Sequence, residues 1–188
     1  MWQVVDLGGT EQRLRERAEI NDVAAVRSPD GRLYVLLERQ GLVYGPWARD
    51  LVLDEIDEDH ANVCVVVVGT VPRCASTGAL DHTMCITLSE RAAENPAWVF
   101  SLDPPVTAAE KMLSELITEL LPIQRLSMTD SLPMVGADSL VLAELSAALT
   151  ARFGVSVDAM RLFETDTVRE LAVVVFGDRT NERDDVTG

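Results

Sequence analysis

Lysine is almost missing from this 188-residue chain: among its 16 basic residues only Lys111 is a lysine, and the rest are arginines. Acids outnumber bases 31 to 16, which gives a net charge of −15. The excess is not held in a tail, since residues 1–100 carry 9 bases against 16 acids and residues 101–177 carry 5 against 11. Such a surface repels nucleic acid and anionic membranes and attracts partners with basic patches. Cysteine is scarce too. Cys64, Cys74 and Cys85 are odd in number and share no metal-ligand spacing, and His60 and His82 do not complete one. Buried or spectator thiols in a reducing cytosol are expected, with no metal site. No apolar run is long enough to span a membrane; the longest, 63–68, is strand-sized. No signal peptide is expected, because Arg13, Arg15 and Arg17 alternate with acids directly after a short strand. A glycine-rich phosphate cradle is absent, as is any Ser-His-Asp or Cys-His pattern for catalysis. A globular, cytoplasmic, monomeric protein is the expectation.

What is present divides in two. Residues 3–7 read as a strand, broken by Gly8-Gly9, with Thr10 placed to cap a helix over 11–18. Strands at 23–27 and 33–38 flank Ser28-Pro29-Asp30-Gly31, a strong hairpin turn. A loop at 41–46 leads to a helix over 47–57. The valine-rich run 63–68 reads as a central strand covered on both faces. A Gly/Thr/Ser-rich loop, 69–81, precedes a last short element at 83–88. Prolines and the aromatics of Trp98-Val99-Phe100 then mark a linker.

The second part is helical. Thr107 and Glu110 form a capping box, and Met112, Leu113, Leu116, Ile117, Leu120 and Leu121 make an apolar stripe that Pro122 ends. Leu132-Pro133-Met134-Val135 leads to Gly136-Ala137-Asp138-Ser139-Leu140. From Ser139 the apolar residues Val141, Leu142, Leu145, Ala148, Leu149 and Phe153 recur at helical steps, with Asp138 as N-cap and Gly154 as the stop. The spacing therefore puts the Ser139 hydroxyl on the first turn of a helix. Free N–H groups and the dipole there would favour a phosphodiester on that oxygen. A short helix follows at Met160, Leu162 and Phe163. A last one, capped by Thr167 with Glu170, turns Val168, Leu171, Val174 and Val175 to the core and ends at Gly177.

The serine stretch resembles the attachment site of the acyl and peptidyl carrier proteins, and the resemblance extends over residues 107–177. It implies a four-helix bundle whose Ser139 bears a 4′-phosphopantetheine arm, taken from coenzyme A by a phosphopantetheinyl transferase. Asp138 would help hold the transferase's divalent metal or serve as the cap; both roles stay open. The arm's thiol would carry acyl or aminoacyl groups as thioesters. Leu140, Val141, Met160 and Phe163 would meet partner enzymes, beside the acidic Glu144.

The first half resembles the small C-terminal subdomain of the adenylate-forming enzymes, the group to which nonribosomal peptide adenylation domains and acyl-CoA ligases belong. Three strings carry the likeness: Val5-Asp6-Leu7-Gly8-Gly9-Thr10-Glu11, Asn21-Asp22-Val23-Ala24-Ala25-Val26, and the loop from Val71-Pro72-Arg73 to Gly78-Ala79-Leu80-Asp81. The family's loop lysine, which meets acyl and phosphate oxygens during adenylation, is Ala79 here, and the loop has one extra residue between Pro72 and Gly78. A methyl group neutralises no phosphate charge. The large ATP-binding domain is missing as well.

The expected organisation is thus a small α+β domain followed by an all-α bundle: 1–94 as a degenerate adenylation-type subdomain, 95–106 as linker, 107–177 as carrier, 178–188 as a disordered tail. The expected function is non-catalytic. The chain would be a phosphoprotein that tethers intermediates of polyketide or nonribosomal peptide biosynthesis, the chemistry of antibiotics and other secondary metabolites. Its partners would be the transferase, a trans-acting adenylating or acyl-loading enzyme and downstream synthases. One alternative is the non-catalytic half of a split adenylating enzyme completed by a separate ATP-binding chain. Another is an interaction module whose Ser139 is never modified.

Overall fold

A computed structural model describes residues 1–41 and 45–177, so the expected tail 178–188 lies outside the described residues. The chain divides into two compact units, Met1–Leu102 and Asp103–Gly188.

The first unit is α+β. Its elements are β1 (Gln3–Val5), α1 (Gly9–Arg15), β2 (Ile20–Arg27), β3 (Leu33–Arg39), α2 (Gly45–Glu55), β4 (Val63–Val68), α3 (His82–Glu94) and β5 (Phe100–Ser101). They form one sheet in the order β1-β2-β3-β4-β5. The β3–β4 pair is parallel, and the other three pairs are antiparallel. The hairpin turn forms as its residues require: the Ser28 N–H donates to the Arg32 carbonyl at 2.9 Å, and that of Gly31 to Ser28 at 3.1 Å. Alternation along the strands sends successive side chains to opposite faces. Val35, Leu37, Val63 and Val65 pack with Leu14 of α1 and Val52 of α2. Tyr34, Leu36, Cys64 and Val66 pack with Cys85 and Ala92 of α3. The valine-rich run of β4 is therefore covered on both faces, as its composition predicts.

Several boundaries differ from the sequence reading. The N-cap of α1 is Gly8, not Thr10, and the helix ends at Arg15. Thr10 lies inside the helix, where its hydroxyl accepts from the Arg13 guanidinium at 2.9 Å. Residues 45 and 46 open α2 rather than closing a loop. The short element at 83–88 is part of the 13-residue α3, capped by Asp81, which accepts the Met84 N–H at 3.0 Å. The stretch 95–106 is only partly a linker: β5 pairs with β4, and the Arg49 guanidinium donates to the Ser101 carbonyl at 3.4 Å. The reason is local packing. The Phe100 ring lies so close to Gly45 that a Cβ there would sit 2.0 Å from it.

Among its described residues the second unit holds four helices: α4 (Ala108–Leu120), α5 (Ser139–Phe153), α6 (Ala159–Phe163) and α7 (Val168–Phe176). Their shared core includes Leu113, Leu116, Ile117, Leu145, Leu149, Leu162 and Leu171. The Thr107–Glu110 capping box opens α4, and Gly154, left-handed at φ 67°, closes α5. Met112 and Val174, expected on buried stripes, are 38% and 39% exposed. The buried arcs of α4 and α7 are filled by Leu113, Leu116 and Ile117 and by Leu171, Ala172 and Val175. Among the described residues, no helix is long and apolar enough to cross a membrane.

Candidate functional site

The loop leading to α5 is held from beneath. Leu126, Met128, Leu132 and Val135 are buried in the core of the unit. Between them the polar residues pair with one another and with α7. Ser127 donates its N–H to the Asp130 carboxylate at 2.9 Å, while the Val168 N–H reaches the Asp130 carbonyl at 2.8 Å and the Arg169 N–H the Met128 carbonyl at 3.0 Å. The first turn of α7 thus spends two of its unpaired N–H groups on fixing this loop. The final turn is made by N–H donation from Gly136 to Pro133 at 3.2 Å and from Ala137 to Leu132 at 3.0 Å. Gly136 takes φ 95°, a conformation that strains any residue with a Cβ.

Asp138 then caps α5. One carboxylate oxygen accepts the N–H groups of both Leu140 and Val141, each at 2.9 Å. Asp138 is thus the N-cap that the spacing predicts, and two of the helix N–H groups that the sequence reading offers to a phosphodiester are taken by it. Ser139, first residue of α5, is exposed. Around it Leu140, Met160 and Phe163 stand out at 65%, 62% and 54% exposure, while Val141 is half-buried against the core. Glu144, one turn on, faces solvent.

A second charged cluster stabilises the same unit. Arg169 binds Glu110 at 2.8 Å and Asp103 at 2.6 Å. Burial alone would raise the Glu110 carboxyl, but Arg169 and the N–H groups of Thr107 and Val106 outweigh it and hold it below the usual carboxylate range. Sequence reading missed Ser127, Asp130 and Arg169. The one available signal was a polar Ser127-Met128-Thr129-Asp130 run inside an otherwise apolar loop.

The Ala79 loop in the first unit has no comparable support. Residues 73–79 are exposed, and Ala79 closes a small turn by accepting the Cys74 N–H at 2.8 Å. Arg73 is bound to Asp22, whose carboxyl stays low despite burial because Arg73 and Arg15 both donate to it. Burial pushes the Cys85 thiol up to about 11 and raises Cys64 as well, so both are inert; Cys74 is exposed. Among the described residues, no three His, Cys, Asp or Glu side chains gather to hold a metal ion.

No curated protein matches the chain. Among solved structures it is similar to McyG A-PCP complexed with phenylalanyl-adenylate, at 15% identity and TM-score 0.37, covering 92% of this chain and 32% of that one. It is similar to holo-AB3403, a four-domain nonribosomal peptide synthetase bound to AMP and glycine, at 19% identity and TM-score 0.40, covering 93% and 13%. A third is NpsA-ThdA, an artificially fused adenylation-PCP di-domain from Klebsiella oxytoca, at 18% identity and TM-score 0.34, covering 92% and 25%. The chain therefore spans a third or less of each of these proteins. Residues 112–174, which run from α4 through α7, match the family described as phosphopantetheine attachment site. Members of that family carry 4′-phosphopantetheine covalently.

Proposed function

We propose that the chain is a carrier protein of nonribosomal peptide or polyketide assembly, with Ser139 as the attachment point. The observation that carries this reading is one exposed hydroxyl at the head of α5, on a loop fixed by core and by α7, inside the matched segment 112–174. The residues fit the group. Ser139 Oγ is accessible to a transferase, and the cap on Asp138 keeps the helix start formed while that oxygen is substituted. When bound, the arm supplies a thiol that carries acyl or aminoacyl cargo as a thioester. Ser139 Oγ would form the phosphodiester by attacking the β-phosphorus of coenzyme A, whose pyrophosphate bond breaks to release adenosine 3′,5′-bisphosphate while the hydroxyl proton passes to a base of the transferase. A divalent metal for that transfer would be brought by the transferase, with Asp138 next to the serine.

The chain positions cargo and its partners supply chemistry. Leu140, Met160 and Phe163 form an apolar rim beside the serine, and the surrounding acidic surface suits basic partner faces. The first unit, with Ala79 in place of a lysine, serves as a non-catalytic docking or solubilising partner of the adenylation-subdomain type. Incubating the chain with coenzyme A and a phosphopantetheinyl transferase tests the assignment. The native chain gains the arm's mass and Ser139→Ala does not. Labelling retained by Ser139→Ala would move the attachment elsewhere.

A further inference from the structure

The two units meet at the peptide bond between Leu102 and Asp103. On one side, β5 pairs with β4, and Phe100 and Leu102 pack on the core of the first unit. On the other, Asp103 is tied within the second unit at three points. Its N–H donates to Ser127 Oγ at 2.9 Å, its carbonyl accepts the Met128 N–H at 2.8 Å, and its carboxylate binds Arg169 at 2.6 Å. No unanchored residue lies between these two sets of ties. The slack is instead enclosed within the second unit. After Asp103 come Pro104 and Pro105, and then Val106 and Thr107, whose N–H groups are held by the Glu110 carboxylate at 2.7 and 3.0 Å.

From this we infer that Asp103 is a releasable latch on the tether between the units. Closed, it leaves no free chain at the joint. Opened, it frees residues 103–105 while the Glu110 ties still hold the helical unit's cap. Three such residues, two of them prolines, extend by about 9–10 Å and behave as a stiff spacer. The latch is built to open more readily than a core contact, because its ion pair is part-exposed, with side chains at 41% and 37%. Exposed pairs are weak and screened by salt. The use of the latch, giving a carrier extra reach when it visits partners, rests on the reading of Ser139; the latch itself does not.

The test is amide hydrogen exchange followed by NMR on the full unmodified chain, comparing native protein with an Asp103→Asn/Ser127→Ala variant. The amide of residue 103 should exchange at least about tenfold faster in the variant, with the Thr107 amide unchanged. In native protein, raising salt from about 0.05 M to about 1 M should speed the same amide. An unaltered rate at residue 103 in the variant would overturn the latch. So would parallel loss of protection at Thr107, which would mean that the whole bundle had loosened. Because no arm is attached in this measurement, its failure says nothing against Ser139, and failed modification of Ser139 says nothing against the latch.

Discussion

The loop before α3 and the loop before α5 share a plan. Each passes through a glycine at positive φ, Gly78 at 70° and Gly136 at 95°. Each reaches an aspartate N-cap within three residues and opens a long helix, of 13 residues at His82 and 15 at Ser139. They differ in what lies beneath. The α5 loop has four buried apolar residues and backbone ties to α7, whereas residues 73–79 of the other loop are exposed and tied mainly to one another. If Ser139 is modified as proposed, a fixed support helps, since ordering the hydroxyl beforehand leaves less entropy to lose when an enzyme docks. The first-unit loop keeps turn and cap without such backing.

The sharpest way to break this comparison is through the glycines. At φ 95° Gly136 lies beyond the left-handed region open to other residues, so Gly136→Ala should cost about 1–2 kcal/mol. Gly78 at 70° is nearer that region, and Gly78→Ala should cost about 1 kcal/mol or less. Urea unfolding separates the two, because Trp2, Trp47 and Trp98 all lie in the first unit and report it by fluorescence. Helical circular dichroism weights the second. Equal costs would mean that backbone conformation does not distinguish the loops.

The caps come next. Asp138 accepts two N–H groups and Asp81 one, so Asp138→Ala should destabilise its unit by about 1 kcal/mol and Asp81→Ala by less. The reverse order in the same unfolding experiment would contradict the capping geometry.

Acid should act on the Glu110 cluster. With its folded pKa held low, Glu110 contributes stability that is present above its unfolded value of about 4.3 and lost as pH falls through the folded one. Glu110→Gln should therefore flatten the acid limb of the helical unit's stability curve while lowering stability at neutral pH. An unchanged acid limb would show that Arg169 holds Glu110 for position alone. The smallest effect is expected in the other loop: Ala79→Lys should create no ATP–pyrophosphate exchange in this chain, because one added cation on an exposed loop does not by itself make a nucleotide site. Measurable exchange would revive the split-enzyme reading.

How much of this was legible beforehand follows from where the forces lie. Caps and periodicity are local, so Asp138, Ser139, Gly154 and the Thr107–Glu110 box could be read directly from spacing. The valine-rich run of β4 declared its two-sided burial. The strand β5 could not be read that way, because two residues in a proline-flanked stretch carry no period. It exists through Phe100 lying against Gly45, 55 positions earlier in the chain. The Ser127–Asp130–Arg169 support was hidden for the same reason: it joins two separated segments, 127–130 and 168–169. Thr10 misled because Gly8 and Gly9 let the helix start two residues earlier than the threonine cap would.

The central claim is that Ser139 carries the arm. Its most direct test is peptide mass mapping of the intact protein isolated from the cells that make it. The account predicts that the peptide containing Ser139 bears phosphopantetheine, with or without a thioester-bound acyl or aminoacyl group, and that no other serine does. A uniformly unmodified Ser139, in cells shown to modify other carrier proteins, would contradict it.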